Sequence, residues 1–168
     1  LFGNAAGAGD VDPNAANLAI TIAKGNAKIS NLGVDVSDIN DAEVVSFHLL
    51  VDDSGSIETE GNTQNVCDGE KIFLDTLMGA KKRANILVAV DCLNDDGNIE
   101  LPYTLLVDGN DSLQIPYLNS GNYNPRGGTP LYRRVAEAAT TMLAKIQQIR
   151  QNGQQERSFL VIVTDGED

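Results

Sequence analysis

The chain has 168 residues, with 12 basic and 24 acidic side chains and a net charge of −12, a balance that argues against nucleic acid or an anionic membrane surface as the main partner, since both would repel it. Its hydrophobic fraction of 42% is enough for the core of one ordinary domain plus a small appendage, and no apolar run is long enough for membrane insertion. Two cysteines, Cys67 and Cys92, lack zinc-ligand spacing, so ordinary thiols in a reducing compartment are expected, with a single bridge between them as the alternative.

Residues 1–16 are rich in Gly, Ala and Asn without periodicity and read as a flexible arm. Residues 17–43 hold two weak β-branched runs around a "KGN" turn signal, then a polar connector, which predicts a hairpin or a pair of edge strands. From Val44 the pattern changes. "VVSFHLLV" (44–51) is nearly continuous in apolar character, as in a strand covered on both faces. A helix is predicted over 64–82, with Val66, Phe73, Leu74, Leu77 and Met78 as its stripe and Lys81, Lys82 and Arg83 at its C-terminal end, where cations suit the helix dipole. Strands follow over 84–93 and 99–108, antiparallel because only "NDDGN" separates them. After a loop over 109–128, "TPLYRRVAEAATTMLAKIQQIRQ" is the clearest helix, with Leu131, Val135, Ala138, Met142, Ile146 and Ile149 on one face. "RSFLVIVTDGED" gives a last strand, expected to be buried on both sides. Strands alternating with helices predict an α/β fold around an open, mostly parallel sheet.

Three polar clusters fall at one edge of such a sheet. Asp52 follows the first core strand, Asp165 follows the last, and Thr129 opens the long helix between them. Ligands of open parallel sheets sit at the carboxyl ends of the strands. Asp52, Ser54, Ser56, Thr129 and Asp165 offer only oxygen, which suits a hard divalent cation: Mg²⁺ above all, with Ca²⁺ or Mn²⁺ as alternatives. Neutral hydroxyls leave such a cation electrophilic, and an external carboxylate is the natural ligand for an open position. Each cluster alone has a plainer reading. "DDSGS" and "TDGED" are turn-forming, and "GGTP" is an ordinary helix start with Thr129 as N-cap and Pro130 at the first helical position.

In this order, "DDSGS", "GGTP" and "VTDGED" resemble the von Willebrand factor A (VWA) family and its metal-ion-dependent adhesion site, and "YNPRGGTPLY" resembles its prokaryotic and phage branches. The resemblance covers residues 44–168 and implies a Rossmann-like sheet flanked by helices. It implies that Asp52, Ser54, Ser56, Thr129 and Asp165 hold Mg²⁺, and that the cation grips an Asp or Glu of a protein partner. Two departures stand out. Related sequences often carry an acid just after "GGTPLY", where this chain has Arg133 and Arg134. The family also continues past its T-D-G, so the sequence is expected to be a fragment, or "FLVIV" to need a cover from another chain or from residues 17–36.

The expected function is therefore a non-enzymatic binding and assembly module, in a cytoplasmic or virion-associated setting. The alternative is a scaffold component of a larger particle or filament in which the metal is secondary. A Mg²⁺-dependent phosphoryl-transfer enzyme with Asp52 as nucleophile fits poorly: position 54 is Ser rather than an acid, and there is no P-loop. His48, inside the first core strand, reads as a packed core histidine. Tyr117 and Tyr123 read equally as partner surface or loop packing, and Asp91, Asp95 and Asp96 as a solvated turn.

Overall fold

Aliphatic and aromatic side chains run almost unbroken through Glu43–Val51 (β1), and this strand becomes the inner element of a four-stranded sheet of order β3-β2-β1-β4. The computed structural model describes residues 33, 35, 36, 39, 42–81, 83–94, 100–106 and 116–165. The expected arm over 1–16 and nearly all of the expected strands over 17–43 lie outside the described residues. The other elements are α1 (Gly55–Thr59), α2 (Thr63–Met78), β2 (Ile86–Cys92), β3 (Leu101–Leu105), α3 (Leu131–Gln151) and β4 (Gln155–Val163). β1 pairs in parallel with both β2 and β4, and β2 pairs antiparallel with β3, as the short connection predicts.

The pleat of β1 sorts its side chains between two cores. Val45, Phe47, Leu49 and Val51 join Cys67, Phe73 and Leu74 of α2 on one face. Val44 and Leu50 face the other side, where Ala138 and Ile149 of α3 pack. Helices thus cover both faces of an α/β sheet. Both cysteines are free and buried, so they are the ordinary thiols expected rather than a bridge.

Three predicted features differ. The second helix ends at Met78 with Gly79 as C-cap, short of residue 82, and Arg83 returns from beyond the end to donate to the Met78 carbonyl at 3.2 Å. Its charge still meets the helix terminus, by a side-chain reach rather than by helical position. β4 is not buried on both sides. It is the sheet's edge strand among the described residues, and Phe159, Ile162 and Val163 are exposed. The α3 stripe is also rotated from the predicted one. Its fully buried positions are Arg134, Ala138, Lys145 and Ile149, while Leu131, Val135, Met142 and Ile146 are half-buried. An apolar count cannot find this face, because Arg and Lys bury their long stems and carry the charged head to a partner.

The polar atoms under α3 are accounted for. Arg134 donates from Nε and Nη2 to the Cys92 carbonyl at 2.9 and 2.6 Å, capping the end of β2, and from Nη1 to Glu137 at 3.0 Å. His48 is a buried core histidine, as expected: its Nε2 lies 2.8 Å from Asp91 Oδ2 and its Nδ1 lies 3.3 Å from the Tyr103 hydroxyl. A carboxylate only accepts, so Nε2 carries a proton and donates to Asp91. Asp91 is therefore a strand residue holding a core histidine, not part of a solvated turn; Asp95 and Asp96 lie outside the described residues.

Lys145 is fully buried, with its Nζ 5.8 Å from the centre of the Tyr103 ring. Burial brings its ammonium down to about 8, with the Asp35 charge pulling the other way. An unfolded lysine titrates near 10.4, so between about pH 8 and 10 the unfolded chain holds more protons at this position, and stability contributed there rises with pH. Burial raises both thiols, which pull oppositely in that range. Comparison with Lys145→Met isolates the lysine. Urea unfolding at pH 7.5 and 9.5 is expected to give the native chain a gain of about 2 kcal/mol relative to the variant. Parallel pH profiles for the two proteins would refute the assignment.

Candidate functional site

β1 sends its chain to β2 on one side and receives β4 on the other, through helices on opposite faces. Its carboxyl end is therefore the place where a crevice opens in such a sheet. The ladder runs slightly past the strands: Leu93 N–H donates to Val51 at 3.0 Å and Asp52 N–H donates to Val163 at 2.8 Å. The three loops after β1, after β2 and after β4 thus leave the sheet side by side.

Asp52 is fully buried and organises two of the loops. Its Oδ1 accepts from Ser54 N–H at 2.8 Å, a local turn that aspartate forms with the backbone two residues on. Its Oδ2 accepts from the Thr164 hydroxyl at 2.8 Å, which fixes the neighbour of Asp165. The turn delivers Ser54 to the start of α1, and the Ser54 and Ser56 hydroxyl oxygens lie 3.0 Å apart. Ser54 is buried and Ser56 half-buried.

The loop before α3 is brought to the same place by backbone contacts. Arg126 N–H donates to the Asp53 carbonyl at 2.6 Å, and Gly55 N–H donates to the Gly127 carbonyl at 3.2 Å. Gly127 has φ +79, a conformation that favours glycine, and a Cβ there would stand 3.3 Å from Asn94 Oδ1. These contacts hold the loop that leads to Thr129 against the loop that carries Ser54 and Ser56. The expected capping role of Thr129 is not what the structure has: Pro130 is the N-cap, Leu131 the first helical residue, and no side chain caps this end. Thr129 is half-buried, and its carbonyl accepts from Leu131 N–H at 2.7 Å.

The fold thus gathers Asp52, Ser54, Ser56, Thr129 and Asp165 onto three adjoining loops at one sheet edge. Asp165 is half-buried at the end of β4. Among the described residues no group of three or more His, Cys, Asp or Glu side chains could hold a metal ion. Any cation here would be held largely by hydroxyls and by no more than two carboxylates.

Residues that sequence reasoning left without a role complete the arrangement. Asp53 is fully buried, and its Oδ1 accepts from both the backbone N–H and the side-chain amide of Asn94, at 2.8 and 2.9 Å. The same amide nitrogen lies 3.1 Å from the Arg126 and Gly128 carbonyls. With only two protons to share, it ties the end of β2 to the loop after β1 and the loop before α3. In the sequence Asn94 is one more polar residue of a hairpin turn, and nothing local marks it. Tyr123 is buried and donates from its hydroxyl to the Asp52 carbonyl, so it belongs to loop packing. Tyr117 donates to Asp75 at 2.6 Å, away from these loops.

Acidic groups outnumber basic ones among the charges acting on Cys92 and Tyr123, with Arg134 opposing them at Cys92. Burial first, then the charges of Asp53 and Asp91, push the Cys92 thiol up. Burial also raises the Tyr123 phenol, with Asp53 and Asp52 among the charges adding to it, so it stays a neutral donor. Two buried carboxylates in sequence, walled by groups that stay protonated, favour a cation over an anion at this edge.

Removing the bridging amide tests the arrangement. Asn94→Ala is expected to cost about 1–3 kcal/mol, because a buried carboxylate loses a donor. It is also expected to speed amide exchange at Gly55 and Arg126 while leaving β1 protected. Unchanged exchange at those two amides would show that the loops do not depend on Asn94. Comparison of the chain with known protein families, with curated proteins and with solved structures finds no match.

Proposed function

We propose that the chain is a VWA-like, Rossmann-type binding module that uses a divalent cation, Mg²⁺ foremost, to grip a carboxylate of a protein partner. The observation that carries this reading is the hydrogen bond between the Ser54 and Ser56 hydroxyls, which holds their oxygens 3.0 Å apart. Mg²⁺ takes near-octahedral oxygen ligands at 2.0–2.1 Å, which puts adjacent ligand oxygens about 3 Å apart. The two hydroxyls therefore sit at the spacing of neighbouring ligands before any cation arrives. The donor set also fits, being all oxygen and mostly neutral.

Within this reading Ser54, Ser56 and Thr129 would hold the cation directly. Asp52 and Asp165 would balance its charge, directly or through water, with Asp52 oriented by Ser54 N–H and Thr164 Oγ1. When bound, the cation supplies an electrophilic position that an incoming Asp or Glu can fill. Asn94 and Arg126 keep the loops from spreading, and Tyr123 seats Asp52 from below. Both Asp52 oxygens already accept hydrogen bonds, which disfavours this residue as a nucleophile and supports a binding role over phosphoryl transfer. Attraction is short-ranged: the chain's net charge is −12, and screening acts over about 8 Å at physiological salt. The matching partner offers one carboxylate in a neutral or basic surround.

The exposed apolar residues of β4 favour a second reading, a scaffold component of a larger assembly in which that edge is covered and the metal is secondary.

Calorimetric titration of Mg²⁺ and Mn²⁺ into metal-free protein separates the two. Saturable binding is expected, lost in Asp52→Ala and weakened at least 10-fold in Thr129→Val, whose side chain caps nothing and whose removal should leave unfolding unchanged. Absence of binding to a folded chain would remove the metal-based reading and leave the scaffold.

A further inference from the structure

On the α2 side of the sheet, below the loops, lies a cavity of about 370 Å³ between α2 and the strands β1 and β4. That is the size of many small-molecule sites. Its walls are mostly apolar, with Leu49, Val51, Ile57, Phe73, Val161 and Val163 among them. Its polar wall residues are Asn62, Asn65, Thr164, Asp165 and, on the buried side of α2, Glu70. Glu70 of α2 lines the cavity and is only 5% exposed. Its Oε2 accepts from Leu118 N–H at 3.2 Å, while its Oε1, also out of water, has no hydrogen-bond partner. A buried carboxylate oxygen left unsatisfied is costly. The single backbone bond to Leu118 does not require an acid, since a glutamine oxygen would accept it equally well.

We propose that this cavity binds a small organic cation, its apolar body lying between α2 and the sheet and its ammonium or amidinium group donating to Glu70 Oε1. A cation is favoured over a neutral donor because hydrogen bonds between charged groups are about twice as strong as neutral ones. It is favoured over an anion by the charge around the cavity. Asp165 stands at the β4 end of the same cavity, and the chain as a whole is strongly acidic. The other titratable groups acting on or near Glu70 are Cys67, Lys71 and Asp75 from α2 and Tyr117 from the preceding loop of α3. Lys71 already lies 2.8 Å from Asp75 and is exposed, so it does not serve as the missing partner. Burial is the main reason that the Glu70 carboxyl is raised to about 7, with Asp75 adding to the rise and Leu118 N–H and Lys71 opposing it. A bound cation would favour its ionised form.

The test is a heteronuclear NMR titration of the full chain at pH 8 with EDTA present, using phenethylammonium, phenethyl alcohol and phenylpropionate. Phenethylammonium is expected to give saturable shifts at the Val66, Phe73 and Val161 amides and to bind at least 10-fold more tightly than the alcohol, with phenylpropionate weakest. Glu70→Gln is expected to bring the ammonium down to the level of the alcohol without weakening the alcohol. Val161→Phe, which fills the cavity and leaves the carboxyl in place, is expected to abolish binding of all three. The proposal fails if the anion binds as well as the cation, or if Glu70→Gln leaves the preference intact. It also fails if the shifts centre on Ser54 and Gly128, or if ammonium binding survives Val161→Phe.

Discussion

Asp52 and Asp53 are adjacent, and both are taken completely out of water at the end of β1. A carboxylate in that position must find donors for its oxygens, and four donors come from three directions: Ser54 from the same loop, Thr164 from the end of β4, and the backbone and side chain of Asn94 from the end of β2. The loop before α3 is then held against Asp53 through its carbonyl and through the same asparagine. Burial of two acids is thus what draws three separate loops together. Chemistry at this edge inherits positions first fixed by hydrogen-bond satisfaction.

The opposite face of the sheet solves a similar problem with cations. Arg134 spends its guanidinium on the carbonyl that ends β2 and on Glu137, so its role is structural although its sequence position adjoins the site. A buried arginine thus seals the end of β2. Lys145 sits deeper, near the Tyr103 ring, in a layer that also holds His48 and Asp91. A chain of polar side chains therefore threads an otherwise apolar layer. Such threads specify one packing of α3 rather than several, because a sliding helix would strand a charge.

Much of this was legible in the sequence. The nearly continuous apolar run 44–51 marks a strand flanked on both faces, and the short turn signal 94–98 marks an antiparallel pair; both follow from periodicity and turn length alone. The common edge for "DDSGS", "GGTP" and "TDGED" follows from strand–helix alternation. What could not be read were contacts whose partners are distant in sequence. Asn94 looks like any turn residue until Asp53 and Arg126 arrive beside it. The buried face of α3 is hidden because two of its four deepest residues are formally charged. Reading "FLVIV" as buried on both sides also fails for a physical reason: composition reports what a strand can bury, not which neighbours it has. Phe159 stacks on Phe47 at 5.1 Å yet remains exposed on its outer side.

The pairing of β1 with β4 has a kinetic meaning. Every register pair in that ladder, from Glu43↔Gln155 to Val51↔Val163, closes the same long stretch of chain, 112 residues in the case of Ser46 and Ser158. Contacts of such sequence separation form late and slowly, because loop closure must be met before they reward it. During synthesis, β1 and β2 can meet early, but Thr164 reaches Asp52 only after almost the whole described chain has emerged. The oxygen-lined edge is therefore completed after the β1–β2 pairing. Until then an aliphatic strand ending in two acids waits with one side unpaired.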